Sequence, residues 1–350
     1  MLESDIEISG EVSWKSPSNI ALVKYWGKYG RQYPSNPSIS FTLEHAHTIT
    51  TVRYTYHEEV KDQIQLQFSF EGEKNEGFGN KIKKYLESIS DIYPLIYHLD
   101  LDIESSNSFP HSSGIASSAS SMSALAMCLM SIDKEINQSG EIDINKASLL
   151  ARLGSGSAAR SVFPEIAIWG DTPSIKGSSN DYAIPYHEGI DQVFKTFHDD
   201  ILIVSDREKS VSSRAGHALM EDNRYAEQRF QQAHENVEKI VVAMKAGNLE
   251  DFGYIVEKEA LTLHALMMAS DPPYMLMEAN TIYVINDIQT YRKETGTPVY
   301  FTLDAGPNVH MLYPHHAAEK INELKEKLKK HCVDGRIIED QVGQGPKRLS

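Results

Sequence analysis

The feature that most restricts the fold is a junction near residue 110. An alternating strand pattern, Leu99 to Ser105, leads through Pro110-His111-Ser112-Ser113-Gly114-Ile115-Ala116-Ser117-Ser118-Ala119-Ser120-Ser121 into a helix of small and apolar residues, Ala116 to Ile132. With so little side-chain bulk, backbone N–H groups can approach an anion, and the helix N-terminus adds a favourable dipole. The serine hydroxyls can hydrogen-bond phosphate oxygens or reach a magnesium ion. The Gly-Lys-[Ser/Thr] ending of a Walker loop is missing, which argues against P-loop chemistry. The same run also fits a serine-rich helix cap packed closely on a sheet, and the segment alone does not separate the two.

Strand and helix patterns alternate around this junction and predict a mixed α/β (α+β) fold. Glu11 to Tyr56 is strand-rich, with the β-branched run Ile49-Thr50-Thr51-Val52-Arg53-Tyr54. Gln65 to Phe70 alternates as a half-buried strand, and Asn80 to Ser88 reads as a short helix. A helix is predicted over Lys146 to Leu153, a surface loop over Asp171 to Asp181, and a buried strand over Ile201 to Val204. Helices follow at Ser212–Met220, Tyr225–Met244, Asn248–Met268 and Met275–Thr295. Strands return at Val299–Leu303 and His310–Tyr313, before a charged helix, Ala317–Lys329, whose Glu323 and Lys327 form an i,i+4 pair on a solvated face. At 350 residues the chain exceeds one typical domain, so two lobes are expected, 1–198 and 199–350.

Charge narrows the partners. A formal net charge of −15 repels nucleic acid and anionic membrane, so phosphate chemistry must draw on locally concentrated cations. The two cysteines, Cys128 and Cys332, are far apart and suggest no disulfide framework, which fits a reducing cytoplasm. Met1 to Gly10 is acidic without an apolar core and does not read as a signal peptide. The longest apolar-leaning run, Ser123 to Ile132, is far too short to span a bilayer, so a soluble protein is expected. No Cys/His spacing spells a metal cluster, and His315-His316 reads as solvated.

Three further segments carry chemistry. Gly154-Ser155-Gly156-Ser157-Ala158-Ala159-Arg160-Ser161 suits a second anion site, with Arg160 forking onto a carboxylate or phosphate; it also fits a flexible loop entering a helix. Asn19-Ile20-Ala21-Leu22-Val23-Lys24-Tyr25-Trp26-Gly27-Lys28 sets two lysines and an aromatic pair beside a strand-like run; alone, it reads equally as a strand end with exposed lysines. In Tyr300-Phe301-Thr302-Leu303-Asp304-Ala305-Gly306-Pro307-Asn308, an aspartate ends an apolar strand against a tight turn. That placement suits a general base, and equally a turn-initiating aspartate.

Together, in this order, the segments resemble the mevalonate diphosphate decarboxylases, within the superfamily of galactokinase, homoserine kinase, mevalonate kinase and phosphomevalonate kinase. The resemblance runs from about Ser13 to Pro346. Its supporting pieces are Pro34-x-Asn36-x-Ser38-x-Ser40, Glu259 with His264-Ala265 and Ser270-x-Pro272-Pro273, and Val342-Gly343-x-Gly345-Pro346. It implies a two-lobed kinase-like fold with a ribosomal-protein-S5-like N-terminal, ATP-binding lobe and a ferredoxin-like C-terminal lobe, the active site lying in the cleft between them. It also implies a cytoplasmic homodimer.

Carried over by motif, Asp304 matches the catalytic aspartate facing the substrate 3-hydroxyl, Lys24 the lysine beside it, and Arg160 the arginine that holds the substrate carboxylate. Asn19, Tyr25, Lys28, Ser155, Ser157, Ser213 and Arg214 match substrate-binding positions, chiefly for the diphosphate. Ser112, Gly114, Ser117 and Ser118 fall on the ATP-phosphate loop, with Ser118 as the magnesium ligand, and Lys209 on a loop near the nucleotide. The implied co-substrates are mevalonate 5-diphosphate and ATP with Mg2+, and the implied products isopentenyl diphosphate, CO2, ADP and phosphate. The alternatives are a decarboxylase or 3-kinase acting on mevalonate 5-phosphate or a related compound, and a non-catalytic sensor of the same fold. The chain departs from the family at Pro164-Glu165, where Gly-Gly is usual, at His111-Ser112-Ser113, where Thr-Ala-Ala is common, and at Ile115, where leucine is usual. Those changes put fine substrate preference in doubt.

Overall fold

The computed structural model describes residues 8–109, 117–207 and 211–350. Two long strands, β1 (Ile8–Val23) and, after a small hairpin of β2 (Lys28–Tyr29) and β3 (Tyr33–Pro34), β4 (Ser38–Tyr56), pair antiparallel along most of their length. Their β-branched and aromatic residues fit a pleated, half-buried surface. β5 (Gln65–Phe70) and β6 (Glu73–Lys74) lead into α1 (Glu76–Ser88), and β7 (Leu99–Asn107) then inserts between β4 and β5.

α2 (Ser117–Asn137) lies on this sheet with α3 (Ile144–Gly154) beside it. Its small residues permit the close approach: Ser120 Oγ is 2.6 Å from Thr48 Oγ1, and the buried Trp14 indole donates to Ser131 Oγ at 2.8 Å. Ser120 therefore packs on the sheet, as the cap reading expected, while Ser118 is exposed. β8 (Ile166–Trp169) and β9 (Ala183–Pro185) extend the sheet from the first residues of β4.

A second, four-stranded sheet holds β10 (Phe197–Leu202), β11 (Tyr300–Leu303), β12 (Val309–Pro314) and β13 (Ile337–Ile338), in the order β11-β12-β10-β13. Between β10 and β11 run α4 (Ser213–Ala218), α5 (Ala226–Lys245), α6 (Leu249–Met268) and α7 (Ala279–Thr295); α8 (Ala318–Leu328) follows β12. One face packs Phe301, Leu303, Met311 and Tyr313 against α7 and α8. The other turns Phe197, Ile201 and Tyr300 towards α5 and α6, in a core shared with Ile20, Leu22 and Phe41 of the first sheet. The chain ends on β14 (Lys347–Arg348), which returns to pair with β1. Both cysteines are free, and among the described residues no helix is long and apolar enough to cross a membrane.

Element boundaries differ from expectation at several places; α2, expected to end at Ile132, runs on to Asn137, and three starts have a clear local cause. α1 starts at Glu76 rather than Asn80, because Asn75 caps it by accepting from the Phe78 N–H at 3.0 Å despite Gly77 and Gly79. α7 starts at Ala279 rather than Met275, where Glu278 and Thr281 form a capping box. β10 starts at Phe197, because Asp199 and Asp200, polar by composition, are buried inside the strand.

Candidate functional site

The register of β1 on β4 shifts between Pro17 and Asn19 and again between Ala21 and Val23. Such irregularities bend a strand and re-aim its side chains. Here they turn Asn19 and Lys24 into a cleft. From the other side, the end of β11 presents Asp304, and Lys24 Nζ lies 3.0 Å from its Oδ1. Lys24 is buried, and burial lowers its pKa below the usual lysine value although Asp304 and Glu259 pull the other way.

The Lys24 peptide is held from both ends. Its N–H donates to Glu259 Oε2 at 2.9 Å; its carbonyl accepts from Arg229 Nη2 at 3.0 Å and Asn36 Nδ2 at 2.9 Å. Arg229 also forks onto both Glu259 oxygens at 2.8 and 2.6 Å, and Asn236 donates to Glu259 Oε1 at 2.6 Å. A buried ion pair persists when most of its other donors and acceptors are met; here both Glu259 oxygens and both terminal nitrogens of Arg229 are paired, and Arg229 Nε alone of the pair's polar atoms has no partner among the described residues. Opposite it, His264 Nε2 donates to the Asp304 carbonyl at 3.1 Å. Glu259 and His264 stood out only as parts of a motif; Arg229 and Asn236 have no mark in the helical pattern of α5.

The glycine–serine segment forms the facing wall. α3 ends at Gly154, and a 3-10 turn runs from Gly156 to Val162. A Cβ at Gly156 would lie 2.7 Å from the Tyr25 hydroxyl and against its ring, so glycine permits that close approach; one at Gly154 would lie 2.5 Å from Met122 Sδ, whose flexible side chain would have to shift. Arg160 donates to Ser40 Oγ (3.1 Å), Ser38 Oγ (2.5 Å) and Asn19 Oδ1 (3.2 Å), while Asn19 Nδ2 donates to Ser161 Oγ at 2.7 Å. Burial pushes the Arg160 pKa down to about 10, against the pull of Asp304 and Tyr25. Tyr25 is raised by burial, and Lys28 is lowered by burial and by the Arg214 charge.

Asn19, Lys24, Tyr25, Lys28, Ser118, Ser155, Ser157, Arg160, Ser213, Arg214 and Asp304 all line one cavity of about 460 Å³. Ser118 Oγ lies 3.2 Å from Ser155 Oγ, so the two serine-bearing segments meet there. A second cavity of about 630 Å³ adjoins it, sharing Ser118, Gly154, Lys81, Ser212 and Arg214. Ser117 lines this second cavity, whose apolar end is formed by Phe68, Phe70 and Phe78. Lys81 of α1, over the Phe78 ring at 5.1 Å, reaches both cavities although nothing in its sequence surroundings marked it. His217 of α4, which lines the first cavity, also went unmarked. Ser112, Gly114 and Lys209 lie outside the described residues.

Glu165, one of the two departures at residues 164 and 165, has a φ of +53°, the left-handed region that glycine adopts most readily. Its carboxylate faces His187 Nδ1 at 3.3 Å rather than the cleft.

No group of three or more His, Cys, Asp or Glu residues among those described is arranged to hold a metal ion. The cleft instead gathers cations, hydroxyls and one carboxylate, the donor set of an enzyme acting on a small polyanion. Comparison with known proteins narrows this class. Residues 16–181 match the diphosphomevalonate decarboxylase-like N-terminal domain, and residues 200–344 the mevalonate 5-diphosphate decarboxylase C-terminal domain. The diphosphomevalonate decarboxylase of Saccharomyces cerevisiae is 30% identical over 85% of this chain and 76% of its own length. The phosphomevalonate decarboxylase of Haloferax volcanii is 27% identical over 86% of this chain and 88% of its own. The crystal structure of mevalonate diphosphate decarboxylase from Staphylococcus aureus superposes with a TM-score of 0.83 at 30% identity, covering 98% of this chain and 99% of that one. A further neighbour, with a TM-score of 0.81, 28% identity and coverage of 98% and 99%, was solved in complex with MVAPP, AMPPCP and magnesium. The chain belongs to the diphosphomevalonate decarboxylase family and has its mixed α/β, kinase-superfamily fold.

Proposed function

We propose that this enzyme decarboxylates mevalonate 5-diphosphate at the expense of ATP, giving isopentenyl diphosphate, CO2, ADP and phosphate. The observation that carries the reading is the Lys24–Asp304 pair in a polar cavity that adjoins a second, partly apolar one through Ser118 and Lys81. The first cavity suits the substrate, and the second, with its Phe68–Phe70–Phe78 end, suits a nucleotide. Asp304 accepts or directs the proton of the substrate 3-hydroxyl as that oxygen takes the γ-phosphoryl group. Arg160 holds the substrate carboxylate, while Tyr25, Lys28, Ser155, Ser157, Ser213 and Arg214 hold the diphosphate, with Asn19 fixing Arg160. The 3-phosphate then leaves with its C–O bonding pair, and the pair of the broken C–CO2 bond becomes the new double bond. Phosphoryl transfer needs mainly positioning and charge stabilisation, which matches the crowding of Lys, Arg and Ser here. Among the described residues no carboxylate cluster lies in the cleft, and the Ser118 hydroxyl would help hold a Mg2+ brought in with the nucleotide, which would neutralise phosphate charge.

Carbon dioxide release with Mg-ATP, compared between mevalonate 5-diphosphate and 5-phosphate, tests the reading. Turnover of the 5-diphosphate at least tenfold faster is expected. A reversed preference would favour the second reading, which the resemblance to the Haloferax volcanii protein supports; ATP turnover without CO2 release would favour a 3-kinase, and no ATP turnover a sensor.

We further infer lobes of 1–198 and 199–350, supported by the separate sheets, with β14 and the shared core tying them together; limited proteolysis at the junction would test this. A homodimer is implied by family alone, and sedimentation showing a monomer would reject it. A cytoplasmic location is supported by the two free cysteines, and cell fractionation would test it.

A further inference from the structure

We infer that His217 determines substrate specificity, its Nε2–H donating to the terminal phosphoryl group of the substrate. This rests on reading the cleft as a mevalonate 5-diphosphate site.

The position of His217 follows from packing. α4 lies so close to Trp26 that a Cβ at Gly216 would sit 2.6 Å from the indole. The next residue, His217, is thereby set against both neighbouring aromatic rings, with centroids 4.3 Å from Tyr25 and 4.5 Å from Trp26. The Gly27 N–H donates to His217 Nδ1 at 3.0 Å. A ring nitrogen that accepts carries no proton, so the neutral ring bears its N–H on Nε2.

His217 is only 8% exposed and lines the cavity, and its Nε2 has no hydrogen-bond partner among the described residues. Nε2 is not among the buried polar atoms that lack a partner, so its N–H is open to the cavity and free to donate to what binds there. Lys28 and Arg214 line the same cavity. Burial and the Lys28 charge push the His217 pKa down to about 3, so the ring stays neutral near pH 7. A neutral donor adds a directed hydrogen bond without adding repulsion among the cations. The cations attract any anion, whereas a donor at one fixed point selects a phosphoryl oxygen at one distance. The longer 5-diphosphate is thereby separated from a 5-phosphate.

The test compares His217→Met, which removes the donor, with His217→Gln, which can restore one. His217→Met should raise KM for mevalonate 5-diphosphate about tenfold with kcat within twofold, leaving KM for ATP and for any 5-phosphate turnover unmoved. His217→Gln should recover part of the loss, and nitrogen-15 NMR of the wild type should show Nδ1 unprotonated and Nε2 protonated. An unchanged KM in His217→Met overturns the inference. So does an equal fall of kcat in both variants with lowered melting temperatures, which would mark a packing role. Calorimetric titration with inorganic pyrophosphate separates this from the functional reading. If the wild type turns over neither mevalonate phosphate, that reading fails; pyrophosphate binding at least fivefold weaker in His217→Met still upholds the donor, and equal binding overturns it.

Discussion

At Lys24–Asp304 the lysine side chain is 2% exposed and the carboxylate 27%, whereas at Lys325–Asp200 the lysine is 11% exposed and the carboxylate fully buried. The two pairs share their chemistry and similar separations, 3.0 and 3.4 Å. Asp200 points between β10 and α8, where the Tyr313 hydroxyl donates to it at 2.7 Å, and burial raises its pKa to about 6. Burial would lower Lys325, but Glu339, 2.7 Å away, and Asp200 more than offset it and leave it raised. Asp304 instead opens on a cavity, with its lysine locked behind it by the Glu259–Arg229 clamp. A buried charge therefore does not mark a site by itself. What matters is which partner faces space that a ligand can occupy.

The largest effect is expected at the open carboxylate. Asp304→Asn should lower kcat by at least about 10²–10⁴-fold and abolish phosphoryl transfer and CO2 release together, with ATP affinity nearly unchanged. Near-normal turnover would break the comparison, because the open pair would then be as structural as the closed one.

Next is the clamp. Arg229→Met leaves Glu259 buried without its cation and should cost about 3–5 kcal/mol in chemical denaturation. If stability held while kcat fell, the clamp would act only in positioning Lys24.

Smaller changes are expected at the cavity rim. Lys28→Ala and Arg214→Ala should each raise the substrate KM by the equivalent of about 1.5–3 kcal/mol, with a lesser effect on kcat. Steady-state kinetics in which KM did not move would remove those residues from the substrate's anionic end.

The smallest effect concerns the closed pair and depends on pH. Because the native pKa of Asp200 is raised, the folded state binds its proton more tightly than the unfolded chain does. That contribution to stability is present below about pH 4, falls away as pH rises to about 6, and stays absent above. Relative to Asp200→Asn, the wild type should thus lose on the order of 2 kcal/mol between pH 4 and pH 7. Denaturation curves at the two pH values read this out, with kcat within twofold throughout. A large loss of activity would join the closed pair to the catalytic machinery.

Much of the site was legible because its residues lie in short, unusual segments: a lysine and an aromatic pair after an apolar strand, paired glycines and serines before an arginine, an aspartate at a strand end. What was not legible belonged to regular elements. Lys81, His217, Arg229 and Asn236 occupy helices, where a polar residue reads as a solvated face until its surroundings are known. Asp199 and Asp200 interrupted the apolar pattern of β10, so the strand could be read only from Ile201. Their partners, His310 on β12, Tyr313 on β12 and Lys325 on α8, lie more than a hundred residues away in sequence.

The sequence by itself determined the alternation of strands and helices, the small-residue approach to α2 and the placement of Asp304 at a strand end, because these follow from local periodicity, side-chain bulk and backbone preference. Tertiary structure decided that Lys24 meets Asp304 across 280 positions, that the strand irregularities of β1 aim Asn19 and Lys24 inward, and that the serines divide between packing and the cavities. It also decided which nitrogen of His217 carries its proton. Burial, ion pairing and tautomer are set by which distant groups share a low-dielectric space, and no local pattern of residues encodes that.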